Sequence, residues 1–293
     1  MLFENYFDNK KQFLIFISAL VFLCYFNALF MDFVWDDIVH LEEFRYRLKK
    51  ITDLKDFFYT TNIVGQPFYY RPLMLVSYGL DYLIYGNNYF GYHLTSILIH
   101  LINVYLVFLI TERMLNRDIA FLSSILFAIH PVNSEPVVWI SARADILSAL
   151  FAFSSLLFYL KTFEKNCLKN YIFTVLFFIF AIFTKETSLI LIILFVIFPL
   201  FKNVSINRKW VFLIIISFLS VVFYFFIRMN IVESLFGDYF PLEAKVATIP
   251  LVILSYFKLF FYPVDLRILY DSPEILFKPD IYSIIGWVVL LII

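Results

Sequence analysis

Charged residues lie next to strongly apolar stretches at four places in this sequence, where a charge is costly and usually has a partner or a function. The first place holds the adjacent carboxylates Asp36 and Asp37, which follow an apolar run ending at Met31. Two neighbouring carboxylates repel each other, so one can keep a proton or the pair can attract a cation. The pair therefore suits a general base or a metal ligand, and equally a helix start with acidic residues in its first turn.

The second place extends from His130 through Glu135 to Trp139, Arg143 and Asp145. A proline directly after Glu135 suits a helix that begins here. On a continuous helix Glu135, Trp139 and Arg143 share one face because they recur every four residues, whereas Asp145 points elsewhere. Such a face can form the wall of a site. The alternative is an Arg143 that only extends towards the lipid headgroups.

The third place is Lys185 and Glu186, which interrupt an otherwise uncharged stretch. They can serve a site, or simply supply the polar residues of a tight hairpin. The fourth is Arg71, which can hold a phosphate through two hydrogen bonds or anchor the chain at a membrane interface. His93 and His100 share a face of a later apolar run, where a buried neutral histidine is the ordinary state.

The composition places these residues in a membrane protein. Of 293 residues 62% are hydrophobic and 16% are charged, whereas a soluble domain has about 45–50% apolar and about 25% charged residues. The 23 basic and 23 acidic residues balance and form no basic tail, so nucleic acid is not an expected partner. Cys24 and Cys167 lie in or beside apolar segments, which excludes a secreted disulfide scaffold.

Nine apolar runs predict an all-α polytopic membrane protein with eight or nine transmembrane helices. The runs are residues 13–31, 89–111, 119–134, 146–160, 170–184, 187–201, 210–227, 246–262 and 281–293. The run 246–262 predicts either a span or a helix at the outer interface. The ninth run ends with the sequence, so we expect the domain 1–293 to be incomplete at its C-terminus. Residues 32–88 form the expected first extracytoplasmic loop, which carries the acidic pair.

Lysine and arginine in the short loops predict a cytoplasmic N-terminus. Ten basic residues then lie inside, against Arg143 and Lys185 outside. The four charged groups share the outer face, which suits a lipid-anchored phosphate. A polyprenyl tail dissolves in the bilayer while arginine or lysine neutralises the phosphate at headgroup depth. A composition rich in Phe, Ile, Lys and Asn is typical of a low-GC genome and favours a prokaryotic inner membrane over the endoplasmic reticulum.

Five groups of motifs, in this order, resemble the membrane half of the TMTC-type and bacterial TPR-linked glycosyltransferases. They are Phe33-Val34-Trp35-Asp36-Asp37, Tyr70-Arg71-Pro72-Leu73, Gly91-Tyr92-His93-Leu94 with His100-Leu101-Ile102-Asn103, Leu126-Phe127-Ala128-Ile129-His130-Pro131-Val132 with Arg143-Ala144-Asp145, and Phe183-Thr184-Lys185-Glu186-Thr187. The likeness extends from about residue 20 to residue 200 and weakens beyond residue 230. These proteins are relatives of the protein O-mannosyltransferases, so the resemblance implies a GT-C glycosyltransferase fold.

The resemblance implies an inverting enzyme that moves a sugar such as mannose from a polyprenyl- or dolichyl-phosphate donor. The acceptor would be a hydroxyl of protein Ser or Thr, or of a glycan, outside the cytoplasm. Because phosphate leaves without a strong acid, one carboxylate base and cations suffice.

The implied base is Asp36, with Asp37 as its orienting residue. The implied donor-phosphate contacts are Arg71, Arg143 and Lys185. The implied pocket residues are His93, His130, Glu135, Trp139 and Glu186. The resemblance leaves open whether a divalent cation takes part; its ligand would be Asp36 or Asp37.

Two other functions would also explain many spans with charges beside them. A transporter or flippase for lipid-linked sugars predicts inverted repeats and helices broken by Gly or Pro near the membrane midplane. The sequence has only 6 Gly, and its charges lie at one rim of the spans. A non-catalytic scaffold of the same fold would bind the donor without consuming it, and the presence of both aspartates argues against it.

Overall fold

The computed structural model describes residues 10–60, 69–202, 206–232 and 242–264, with Leu266, Ile285 and Trp287 as single positions. Regular structure in these ranges is entirely helical, which confirms the predicted all-α class. Clustering of contacts separates two compact units, Met1–Leu235 and Phe236–Ile293.

The described ranges contain eleven α-helices and five short 3-10 helices. The α-helices are α1 Lys10–Tyr25, α2 Asp36–Arg47, α3 Pro72–Tyr85, α4 Tyr89–Met114, α5 Arg117–Ile129, α6 Ser134–Val138, α7 Ala144–Glu164, α8 Leu168–Thr184, α9 Ile190–Lys202, α10 Arg208–Ile231 and α11 Leu242–Phe261. The 3-10 helices are Phe26–Phe30, Ile51–Tyr59, Pro131–Asn133, Ile140–Arg143 and Glu186–Leu189.

The first eight predicted apolar runs each coincide with an observed helix. Four helical stretches are long and apolar enough to cross a membrane by length and composition: Lys11–Phe30, Tyr89–Met114, Ile140–Glu164 and Arg208–Ile231. Two further apolar helices, Leu168–Thr184 and Val246–Phe261, are shorter. The count of eight or nine spans therefore stays a prediction. Its ninth run lies outside the described residues, apart from Ile285 and Trp287.

Two large apolar clusters hold much of the first unit together. In one cluster Phe13 of α1 contacts Phe108 of α4 and Phe121 of α5, with ring centroids 4.9 and 4.4 Å apart. In the other, Tyr159 of α7 packs against Phe195 of α9, with ring centroids 4.6 Å apart. Some buried polar groups inside the bundle are bonded across helices, which stabilises contacts between helices in a membrane interior. Ser155 of α7, for example, donates to the α8 backbone at 2.7 Å.

A third cluster forms a platform at the end of the bundle where α4 and α7 begin. It joins α2, the 3-10 helix Ile51–Tyr59, α3 and the 3-10 helix Ile140–Arg143. Gly79 allows α3 to approach closely, because a Cβ atom there would lie 2.6 Å from Leu54 Cδ2. This platform fixes the elements that carry the charged residues.

Candidate functional site

A cleft of about 260 Å³ lies where α2, α3, α7 and the turn after α8 meet. Polar and aromatic side chains dominate its lining. The residues are Asp36, His40, Tyr69, Arg71, Met74, Glu135, Trp139, Ser141, Ala142, Ala144, Asp145 and Lys185. Five of the ten predicted site residues are among them: Asp36, Arg71, Glu135, Trp139 and Lys185. Residues from four separate stretches of the sequence therefore meet in one place.

The two adjacent aspartates occupy the first turn of α2 and differ in their surroundings. Asp37 is buried, and its carboxylate accepts hydrogen bonds from the backbone N–H of Val34 at 3.1 Å and of Ser141 at 2.8 Å, as well as from the Ser141 hydroxyl. Asp36 lines the cleft, and within the described ranges its carboxylate has no hydrogen-bond or ion-pair partner. Burial raises the pKa of Asp37, against the lowering effect of the Ser141 hydrogen bonds.

The residue before this pair has an unusual backbone. Trp35 has φ of +48° and ψ of −115°, a conformation that L side chains rarely adopt. Its indole ring meets the edge of Trp139 at a centroid distance of 6.0 Å, which ties the start of α2 to the segment after α6. Strained backbone of this kind is concentrated at functional sites, where surrounding contacts hold it in place.

The predicted continuous helix from Glu135 to Arg143 is wrong. The helix α6 ends at Val138 because Trp139 is extended, with φ of −79° and ψ of +115°, and a 3-10 turn follows before α7. The break changes the direction in which the residues after Val138 point. Asp145, predicted to point elsewhere, lines the same cleft as Glu135 and Trp139. Burial raises the pKa of Glu135, and the nearby charge of Asp145 raises it further, against the opposite effect of Lys185.

Arg71 is held at the cleft by the two tyrosines that precede it and by Glu186. Tyr70 is anchored because its hydroxyl donates to Phe58 O and its carbonyl accepts from the Tyr224 hydroxyl, both at 3.0 Å. The Arg71 guanidinium lies 4.2 Å from the centre of the Tyr69 ring. It donates twice to Glu186, from Nε at 3.1 Å and from Nη2 at 3.0 Å. Glu186 therefore lies behind Arg71 and positions it.

Lys185 is the second cation of the cleft. Helix α8 ends at Thr184, Lys185 is extended, and a 3-10 turn follows, so the predicted hairpin is observed. The Lys185 ammonium forms an ion pair with Asp145 in the first turn of α7. Burial raises the pKa of Glu186, but Arg71 outweighs this through two hydrogen bonds and its charge, so the net pKa of Glu186 lies below its ordinary value.

Arg143 lies outside the cleft lining. Its side chain is fully buried and its guanidinium donates to Asp81, to the hydroxyl of Ser96 at 3.1 Å and to the carbonyl of Tyr92 at 2.7 Å. These contacts join α3, α4 and the start of α7. The geometry gives Arg143 a place in the protein core in contact with Asp81, instead of the expected contact with a donor phosphate.

The two predicted pocket histidines also lie outside the cleft lining. His93 is buried in α4 with its Nε2 3.1 Å from the carbonyl of Met31. His130 caps a 3-10 helix, because its Nδ1 accepts from the backbone N–H of Val132 at 3.3 Å. As for a metal, no group of three or more His, Cys, Asp or Glu side chains in the described ranges is placed to hold one.

Sequence reasoning missed several lining residues, of which His40 and Tyr69 carry the most chemistry. The spacing of His40, four residues after Asp36 on a helix that begins at Asp36, would have placed both on one face. Tyr69 stands two residues before Arg71, and its position over the guanidinium depends on the loop conformation. Ser141 entered no motif, since only the fold brings it to Asp37.

Comparison with known proteins supplies the family. Residues 72–227 match the profile of dolichyl-phosphate-mannose-protein mannosyltransferase. The Drosophila melanogaster protein O-mannosyl-transferase Tmtc1 is 31% identical over 178 residues, which cover 59% of this chain and 21% of the fly protein. Human TMTC3 is 29% identical over 50% of this chain and 16% of its own length, and mouse TMTC2 is 33% identical over 49% and 18%.

The matched part of this chain thus covers about a fifth of the length of these relatives. No solved structure matches this chain. The sequence profile extends from the start of α3, one residue after Arg71, into α10 and includes Glu135, Asp145 and Lys185. Since it covers more than half of the 293 residues, the chain belongs to the dolichyl-phosphate-mannose-protein mannosyltransferase family.

Proposed function

We propose that this chain is an inverting membrane glycosyltransferase. It moves mannose from a polyprenyl- or dolichyl-phosphate donor to the hydroxyl of a protein Ser or Thr. One observation carries the proposal: the carboxylate of Asp36, which has no hydrogen-bond or ion-pair partner among the described residues, lines the same cleft as the guanidinium of Arg71 and the ammonium of Lys185. The family description supports the sugar and the lipid phosphate, and the names of the relatives support the protein acceptor.

In this mechanism Asp36 takes the proton of the acceptor hydroxyl while the hydroxyl oxygen attacks the anomeric carbon. The bond from that carbon to the phosphate oxygen breaks, and the lipid phosphate leaves with the electron pair. Attack from the face opposite the phosphate inverts the anomeric configuration. Asp37 is less suited to be the base, because hydrogen bonds from Val34 and Ser141 already stabilise its charged form. It holds the start of α2 against the turn before α7.

Arg71 and Lys185 can contact the donor phosphate without releasing their acidic partners. A guanidinium has five N–H donors, and Arg71 uses two of them for Glu186. An ammonium has three donors, and Lys185 uses one for Asp145. The donors that remain suit phosphate oxygens, to which charge-assisted hydrogen bonds are about twice as strong as neutral ones.

Glu135 is a second carboxylate of the cleft, and within the described ranges it has no hydrogen-bond or ion-pair partner. Because its pKa is raised, it keeps a proton to a higher pH than an ordinary glutamate. A protonated Glu135 can donate a hydrogen bond to a sugar or acceptor hydroxyl. We assign it to the pocket and Asp36 to proton transfer, so Glu135→Gln provides a matched comparison for Asp36→Asn.

We place the reaction at the extracytoplasmic face of a prokaryotic inner membrane, with the N-terminus in the cytoplasm. The distribution of ten basic residues against two in the short loops supports this orientation. The helices α4 and α7 both start beside the platform, and the ion pair between Arg113 and Glu164, at 3.3 Å, joins their far ends. Basic residues of the inner loops therefore lie away from the cleft.

The test uses membranes that contain this chain and matched membranes without it. Each is given polyprenyl-phosphate mannose labelled in the sugar, together with a Ser/Thr peptide. We expect label on the peptide only where the chain is present, with inverted anomeric configuration. Retained configuration would refute the single-displacement mechanism. Binding of donor without consumption, by correctly inserted protein, would favour a scaffold, and movement of intact donor across the membrane would favour a transporter.

A further inference from the structure

His40 has an uncommon position for a histidine. His40 is only 6% exposed, yet its side chain lines the cleft. The ring lies between Phe44 and Tyr78, with centroid distances of 6.2 and 5.3 Å. Neither neighbour forms a hydrogen bond with it, and Nδ1 is enclosed without any hydrogen-bond partner in the part of the chain that the structure describes. No described residue therefore fixes the tautomer of the ring.

The surroundings of the ring leave one nitrogen for a bound molecule. Because Nδ1 is enclosed, Nε2 is the nitrogen through which His40 can make a hydrogen bond at the cleft. His40 follows Asp36 by four residues on α2, so the two side chains lie on the same helix face. A group bound to His40 is therefore held next to the proposed base.

The charge of the ring restricts what it can bind. Burial lowers the pKa of His40 to about 4, so the imidazole is neutral at neutral pH. A neutral ring offers no charge to a phosphate. With its proton on Nε2 it donates, and with its proton on Nδ1 it accepts. A hydroxyl group, which both donates and accepts, fits either tautomer.

Trp139 gives an independent indication of the same kind. It lines the cleft, and its indole N–H is enclosed with no hydrogen-bond partner among the described residues. An indole offers a flat apolar face, which suits the carbon frame of a molecule that bears hydroxyls. The cleft thus pairs charged groups, Asp36, Arg71 and Lys185, with uncharged polar groups at His40 and Trp139.

We propose that His40 is a positioning residue that hydrogen-bonds a substrate hydroxyl through Nε2 and holds it beside Asp36. The inference rests on the proposed function for the identity of the substrates. The hydroxyl belongs either to the acceptor Ser/Thr or to the transferred sugar. Equilibrium binding distinguishes the two sources and does not require turnover.

The test compares wild type with three variants in lipid nanodiscs. His40→Phe keeps a ring and removes the nitrogens, His40→Gln places an amide near the position of Nε2, and His40→Asn places it near Nδ1. Binding is measured for pairs of probes that differ by one hydroxyl: a Ser peptide against the same peptide with Ala, and polyprenyl-phosphate mannose against a deoxymannose analogue that lacks one sugar hydroxyl. The thermal stability of each variant is recorded alongside.

Wild type should prefer the hydroxyl-bearing member of one pair by about tenfold, as expected for one hydrogen bond with a buried partner. His40→Phe and His40→Asn should lose that preference, and His40→Gln should keep most of it. If the variants lose the preference between the two peptides, His40 binds the acceptor hydroxyl. If they lose the preference between the two lipids, it binds a hydroxyl of the sugar. Unchanged preferences in a folded His40→Phe protein would overturn the inference. Because binding is measured, this result is distinct from an inactive wild type, which would contradict the proposed function.

Discussion

Replacing Arg143 by Met should destabilise the protein strongly, and the structure supplies the magnitude. The guanidinium is fully buried and contacts Asp81, Ser96 and the Tyr92 carbonyl. Its removal leaves the Asp81 carboxylate, 3% exposed, with the Thr95 hydroxyl as its remaining partner in the described ranges. Breaking a buried ion pair by removing one member costs about 3–5 kcal/mol, because the other charge stays buried.

The free energy of unfolding can be measured by SDS titration in mixed micelles. The matched control is Arg47→Gln, which breaks the more exposed pair of Arg47 with Glu43 and should cost no more than about 0.5 kcal/mol. Adding Asp81→Asn to Arg143→Met should restore part of the lost free energy of unfolding, because the double variant no longer buries the charge of Asp81. Equal stability of Arg143→Met and the control would refute the assignment. A stable Arg143→Met that fails to bind donor would instead return Arg143 to the donor-phosphate contacts.

Three further predictions follow from the site and its platform. First, the free energy of unfolding should fall as the pH drops from 6.5 towards about 4, because unfolded His40 takes up a proton before the buried ring does. The His40→Phe variant should remove that part of the fall, which unfolding titrations at pH 7 and pH 5 would reveal. Second, Arg71→Gln and Lys185→Gln should each raise the KM for polyprenyl-phosphate mannose by about tenfold or more, since each removes charge-assisted hydrogen bonds to phosphate. An unchanged donor KM in initial-rate assays would exclude that residue as a phosphate contact. Third, Gly79→Val should cost about 1–3 kcal/mol by overpacking against Leu54, which lies 2.6 Å from the position of an added Cβ. A variant as stable as wild type in SDS titration would show that the platform tolerates the larger side chain.

The helices were predictable because their signal is local. Each apolar run is long and contains almost no charge, so burial in lipid or protein is favourable wherever the helix finally packs. The same reasoning placed the acidic pair and Lys185 at one end of the bundle. It also recognised the proline that follows Glu135 as typical of a helix start, and α6 begins at Ser134.

The arrangement within the site depends on contacts between distant residues, which spacing does not encode. Arg143 pairs with Asp81, 62 residues earlier, and the Ser141 backbone binds Asp37 across 104 residues. The break after Val138 turns Asp145 into the cleft, contrary to the regular four-residue pattern. No local propensity marks that break. The segment is instead held by contacts with distant residues: the Trp35 ring packs against Trp139, and the Tyr78 hydroxyl donates to the carbonyl of Ile140.

The measurement closest to the central claim compares turnover and donor binding in Asp36→Asn. Asparagine keeps the size of the side chain and removes its ability to accept a proton, while Arg71 and Lys185 stay in place. We predict a fall in turnover by about 10²–10⁴-fold, the usual contribution of a general base, with the donor affinity nearly unchanged. The control Asp56→Asn, on an exposed residue of the platform, should retain both. A normal transfer rate in Asp36→Asn, or a loss of turnover in Glu135→Gln in its place, would contradict the account.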